Sequence, residues 1–280
     1  MQTPRLVIHI GAGKTGTSSI QAFLKQADPD LRREGIGYLG RMLECQAELQ
    51  SLPLASWQRN GGWEEWRKNS GDYTEAFLAR LQQQIQALGE RQCHTYILSN
   101  EGLFNHASSF APIISAVSEW GLSVEIVAVL RRHYEWAFSA YLQWGIRHKT
   151  LPGRVLSFRQ WLERRTPSFS PCLKAWEAIA PTRSLSLINY DSSPDIVPEF
   201  IQRLNLGQPP GDAQSSYRVN LATSPLEALL LSTYNDHYER RVHPMETQGL
   251  LARLNQRGHT LRRDRGGNGS EIDQDDVQTL

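Results

Sequence analysis

Four short apolar runs stand out along the chain, at residues 6–10, 95–98, 124–130 and 185–188. They are near-continuous, and the longest is broken only by Glu125. Continuous runs of this length suit strands buried on both faces, as in a parallel sheet. Between them lie apolar positions at helical spacing: Ile20, Phe23 and Leu24; Phe77, Leu81, Ile85 and Leu88; Tyr134, Ala137, Phe138, Tyr141 and Leu142; and Leu226, Leu229, Leu230, Thr233 and Tyr234. Strands alternating with helices predict an α/β fold, three layers deep, with a central parallel sheet. The pattern extends as one domain over residues 1–262. Residues 56–72 differ: they are polar, contain glycine, hold Trp57, Trp63 and Trp66, and read as an excursion from the sheet. Residues 263–280 contain few apolar positions and are predicted to form a flexible tail.

The 280 residues, 40% of them hydrophobic, are enough for one large α/β domain. The formal net charge of +1 excludes nucleic-acid binding through bulk charge, so any anion site must be local. Cys45, Cys93 and Cys172 are odd in number and far apart, without metal-ligand spacing, which fits a reducing, cytoplasmic setting. Residues 6–10 are too short for a secretory signal and run into glycine. No run approaches the ~18 apolar residues of a membrane span.

The first strand leads into Gly11-Ala12-Gly13-Lys14-Thr15-Gly16-Thr17-Ser18-Ser19 and then a helical pattern. A glycine-rich turn lets backbone N–H groups point inward, and the helix start adds unpaired amides and a positive dipole end. Lys14 supplies a full charge; Thr15, Thr17, Ser18 and Ser19 supply hydroxyls. Gly13-Lys14-Thr15 fits the end of the G-x-x-x-x-G-K-[ST] phosphate loop, but Ile8 stands at its first glycine position, so the loop is shorter than an ATP-wrapping one.

The third strand ends at Leu130 and is followed by Arg131, on the edge where parallel sheets bind ligands. Ser139, eight residues on, falls in the following helix. An arginine fork and a serine on the helix face turned back toward it can grip one phosphate.

K-T-G-T at residues 14–17, together with R-x7-S from Arg131 to Ser139, resembles the 3′-phosphoadenosine-5′-phosphosulfate-dependent sulfotransferase family. The match is residue by residue at Lys14, Thr15, Gly16, Thr17, Arg131, Ser139 and Tyr141. The segment from His9 to Gln21 is most similar to bacterial members, and Ile188-Asn189-Tyr190-Asp191 is similar to the family's Y-[ED] strand end. The resemblance covers roughly residues 5–206. It departs at Arg132, His133 and Trp136, and the adenine motif of the animal cytosolic enzymes is absent.

The resemblance implies a P-loop-NTPase-like sulfotransferase fold and transfer of a sulfuryl group to a hydroxyl or amine acceptor, leaving adenosine 3′,5′-bisphosphate. Gly13, Lys14, Thr15, Gly16, Thr17 and Ser18 would hold the 5′-phosphosulfate, and Arg131 and Ser139 the 3′-phosphate. Lys14 would neutralise the leaving phosphate, with no metal required. Such transfer is mostly positioning and charge stabilisation. Glu101, just past the second strand, is the candidate base, with Ser99 near the donor. His9 reads as a core residue. His133 is a candidate aid to the 3′-phosphate, and His148, with Arg147 and Trp144, a candidate for the acceptor side. His106, His237, His243 and His259 read as solvated. The three tryptophans of residues 56–72 suit either a small core or an acceptor surface for a carbohydrate or small metabolite. Two other readings share the loop: an ATP-using small-molecule kinase, and a nucleotide-binding module without chemistry.

Overall fold

A computed structural model describes residues 3–46, 53–59, 62–181, 184–193, 195–206 and 224–256. The predicted tail at 263–280 and His259 lie outside these. In chain order the elements are β1 (Arg5–Gly11), α1 (Thr17–Gln26), α2 (Asp28–Arg33), β2 (Ile36–Gly40), a 3₁₀ turn (Ser56–Gln58), α3 (Gly62–Lys68), α4 (Ser70–Glu90) and β3 (Thr95–Ser99). A second 3₁₀ turn (Glu101–Asn105) precedes α5 (Ala107–Glu119) and β4 (Ser123–Leu130). Then follow α6 (His133–Ala140), a π-helix (Tyr141–Arg147), α7 (Phe158–Arg164), α8 (Ser170–Ile179), β5 (Leu185–Asn189), a 3₁₀ turn (Tyr190–Ser192), α9 (Ile196–Leu204), α10 (Pro225–Asp236) and α11 (Pro244–Gln256). They fall into two compact units, residues 1–132 with 168–220, and residues 133–167 with 221–280.

The first unit carries a five-stranded sheet in the order β2-β3-β1-β4-β5. All four pairings are parallel, as the unbroken apolar runs predicted. The chain moves outward from β1 to β2 and then returns through β3 to β4 and β5. Right-handed crossovers therefore put α1 on one face and α4 and α5 on the other. On the α1 face, Val7, Ile97, Val127 and Val129 pack with Ile20, Phe23, Phe200 and Leu204 of α1 and α9.

The opposite face rests on an aromatic core. Trp57, Trp66, Phe77, Phe110 and Trp176 are each at most 2% exposed. Phe110 meets Trp66 and Phe77 edge-on at 5.6 Å, and Trp176 lies 6.3 Å away. These geometries suit the ring quadrupoles. The structure thus corrects the acceptor-surface reading of residues 56–72 for two of its tryptophans, because buried indoles have no face to offer a ligand. The described residues of the segment are largely helical and lie outside the sheet.

The second unit is helical. Tyr134, Phe138 and Tyr141 surround the Phe158 ring at 5.4–6.1 Å. Lys149, only 1% exposed, donates to the carbonyls of Asn235 and Tyr238 at the end of α10, where the helix dipole favours a cation. Arg147 pairs with Glu227 at 2.7 Å.

Phe110 touches three other buried rings, so Phe110→Ala is expected to lower stability by about 3–5 kcal/mol, read from the urea midpoint. A loss below ~1 kcal/mol would mean that the aromatic cluster is not a cooperative core.

Candidate functional site

Parallel pairing brings the C-terminal ends of β1, β3, β4 and β5 to one edge. The connections from β1 and β4 leave in opposite directions, the topological situation in which α/β sheets open a ligand crevice. Gly11 at the end of β1 pairs with Val129, two positions before Arg131.

The loop after β1 is bent into a cradle. Lys14 has φ of 67° and Gly16 of 79°. A non-glycine residue in the left-handed region costs about 1–2 kcal/mol. Left-handed residues interleaved with ordinary ones turn successive amides toward one side, an anion-binding nest. Helix α1 begins at once, with no side-chain cap at Gly16 and no acidic residue in its first turn. No acidic side chain of that turn offsets its positive end. Lys14 and Ser18 are half-buried, whereas Thr15 and Thr17 are buried.

Beneath the cradle, a β-carbon at Gly11 would lie 2.7 Å from Thr17 Oγ1, 2.9 Å from Thr15 Oγ1 and 3.7 Å from His9 Nε2. Only glycine fits there. The two hydroxyls and His9 Nε2 are buried with no hydrogen-bond partner among the described residues. His9 Nδ1 is 2.7 Å from the Ser99 hydroxyl, across the His9–Ser99 register pair. Ser99, expected near the donor, is thus fully buried and engaged with His9. The imidazole packs edge-on against Phe200 at 5.1 Å. Burial pushes its pKa from 6.5 down to about 3.

Glu101 sits at the edge just beyond β3. Gln21 Nε2 donates to its carboxylate at 3.1 Å and to the Ser99 carbonyl at 2.9 Å. Arg41 Nη2 lies 3.6 Å from the other carboxylate oxygen. Arg41 is carried on a braced turn: the Glu44 carboxylate accepts from the Arg41 and Met42 amides, while Gln58 and Gln84 both donate to the Leu43 carbonyl. The adjacent Gly102 abuts the Trp63 indole, which stays half-buried and stacks on Trp66 at 5.5 Å.

At the end of β4, Arg131 lies over the Tyr190 ring at 5.1 Å and pairs with Asp191 at 3.4 Å. The same carboxylate accepts from the Arg132 amide at 2.7 Å. Tyr190 also closes on the first loop, since a β-carbon at Gly16 would lie 2.9 Å from its ring. One tyrosine therefore stands between the Lys14 loop and Arg131.

Of the residues expected from the sequence, Gly13, Lys14, Thr15, Gly16, Thr17, Ser18, Glu101 and Arg131 fall on this edge of the first unit. Ser139 lies on α6 of the second unit, and Tyr141 opens the π-helix there, its hydroxyl donating to the Leu156 carbonyl at 2.7 Å. His9, Gln21 and Arg41 were not expected as site residues. Their partners are distant in sequence, and no local pattern marks them.

Among solved structures, the chain is similar to a sulfotransferase from Alicyclobacillus acidocaldarius, with a TM-score of 0.45 and 16% identity, covering 84% of this chain and 93% of that one. A scan of protein-family models and a search of curated proteins find no match.

The unfolded chain takes up a proton at His9 near pH 6.5, and the folded chain only near pH 3. Stability held by neutral His9 is complete above the first value and is lost as pH falls toward the second, at up to about 1.4 kcal/mol per pH unit. Unfolding free energies from urea titrations at about pH 7 and about pH 5 should differ by some 2 kcal/mol more in the native chain than in His9→Gln; equal differences would refute this.

Proposed function

We propose that the chain is a sulfotransferase, taking its group from 3′-phosphoadenosine-5′-phosphosulfate and passing it to a hydroxyl or amine on a carbohydrate or small metabolite. The observation that carries this reading is the Tyr190 ring, in contact with the Gly16 turn and lying under Arg131. It ties a phosphate cradle to a second cation on the same sheet edge, and a donor with phosphates at both its 3′ and 5′ positions needs two such sites.

The residues present suit that donor. The nest at residues 14–16, the open start of α1 and the half-buried Lys14 match a phosphosulfate, and the guanidinium of Arg131 matches a further phosphate. The donor supplies an activated sulfuryl group on a stable leaving phosphate. Lys14 stabilises charge as it develops on that phosphate oxygen. Gln21 and Arg41 fix the carboxylate of Glu101, which takes the acceptor proton. Trp63, the tryptophan of residues 56–72 that is not fully buried, forms an aromatic wall beside Glu101 for the acceptor. Ile8, fully buried inside β1, leaves no room for the longer ATP-wrapping loop and counts against a kinase.

Adenosine 3′,5′-bisphosphate at about a hundred times its Kd should stabilise the protein by about 2.7 kcal/mol. A thermal shift with magnesium ATP alone would overturn the reading. Lys14→Ala should lower transfer about 10²- to 10³-fold in a folded protein. Glu101→Gln should lose about 10²- to 10⁴-fold on a hydroxyl acceptor; unchanged turnover would remove Glu101 as the base.

A further inference from the structure

Below the loop lie three polar atoms that the chemistry above does not use: His9 Nε2, Thr15 Oγ1 and Thr17 Oγ1. Each is buried without a hydrogen-bond partner among the described residues. They come from two places in the chain, β1 and the loop at the start of α1. All three flank the direction in which Gly11 lacks a side chain, at 3.7, 2.9 and 2.7 Å from the position of the missing β-carbon. One unpaired buried polar group costs about 1–3 kcal/mol. Three converging on one glycine indicate a shared network, not three separate defects.

The imidazole is already aimed. Ser99 holds Nδ1 at 2.7 Å, and Phe200 packs edge-on against the ring. Ring orientation therefore fixes where Nε2 points. The proton roles are complementary: if Nδ1 donates to Ser99, Nε2 accepts from a threonine hydroxyl; if Nδ1 accepts, Nε2 donates. Hydroxyl rotors satisfy either case.

We infer that His9 is a positioning residue for the phosphate loop, its Nε2 linked to the Thr15 and Thr17 hydroxyls directly or through one buried water, so that β3, through Ser99, sets the shape of the loop carrying Lys14. The consequence for binding rests on reading that loop as a phosphate cradle; the hydrogen-bond link does not. The link explains why a left-handed Lys14 is tolerated: both threonines beside it are anchored from below. It also joins the two halves of the site, because Ser99 lies in the strand that ends beside Glu101, and Gln21 of α1 donates to its carbonyl at 2.9 Å.

Long-range ¹⁵N–¹H NMR of the imidazoles in the full chain tests the link without any nucleotide. Thr15→Val or Thr17→Val should shift the His9 Nε2 resonance, and Thr15→Ser or Thr17→Ser should return it toward the native value. If the resonance is unmoved in both valine variants, the proposal is overturned. Asparagine reproduces Nδ1 of histidine and glutamine reproduces Nε2. His9→Leu and His9→Asn should therefore weaken adenosine 3′,5′-bisphosphate binding at least about tenfold, with His9→Gln within about threefold of native; these fold-changes correspond to roughly 1.4 and 0.7 kcal/mol. Equal weakening by asparagine and glutamine would mean that the ring only fills space, again overturning it. If the His9 variants fail to fold, the threonine series decides. If native protein binds no bisphosphate, the functional reading fails, while the His9–threonine link is still judged by the resonance.

Discussion

The end of the central strand allows no side chain. At Gly11 even a methyl group would collide with the Thr15 and Thr17 hydroxyl oxygens, so the loop can fold back over the strand only because this residue is bare. That close return drops α1 onto the sheet, where Ile20, Phe23 and Leu24 join the core. The positive φ values at Lys14 and Gly16 lie within this return. The cradle, the helix start without a side-chain cap and the buried polar groups beneath them all adjoin one steric constraint at one position.

Strand order does the rest of the positioning. Because β1 sits between β3 and β4, the residues just past those strands flank the loop from either side: Glu101 and Arg131. Neither is left to wander. Gln21 and Arg41 bracket the carboxylate, and Tyr190 and Asp191 bracket the guanidinium. A chain whose net charge is only +1 thereby concentrates Lys14 and Arg131 at one edge, where local field rather than overall charge would act on the proposed donor.

The sheet was legible wherever a strand reads as a near-continuous apolar run, as four of the five do, although in β5 only Ile188 is buried. The missed strand, Ile36–Gly40, reads IGYLG, and its glycines look like punctuation. In the fold Gly37 is bare because Leu88 of α4 packs against it, 2.6 Å from where a β-carbon would be; it marks close packing and not a turn. The loop around Lys14 was legible because its chemistry is contiguous. His9 was not, since a histidine in an apolar strand looks like core until Ser99, ninety residues away, is seen beside it in register. Tyr190 and Asp191 showed only as a strand-end motif, and their hold on Arg131 exists only once β5 lies next to β4. The tryptophans left two readings open for the converse reason: sequence cannot distinguish an indole that stacks on a ligand from one that packs on Phe77 and Phe110.

Arg131 has a thermodynamic consequence beyond its charge. A free arginine side chain holds about 2 kcal/mol of rotamer entropy, and one that must be frozen by its ligand surrenders that freedom at the moment of binding. Here the Tyr190 face and the Asp191 carboxylate have already fixed the guanidinium. The entropy is lost during folding instead, so the proposed donor phosphate would meet a fork whose orientation is set in advance. Asp191 has the opposite effect on enthalpy, because its negative charge is felt by any incoming anion. On the proposed reading the pair trades strength of attraction for definition of geometry, and would favour ligands whose shape matches the fork over those that bring only charge.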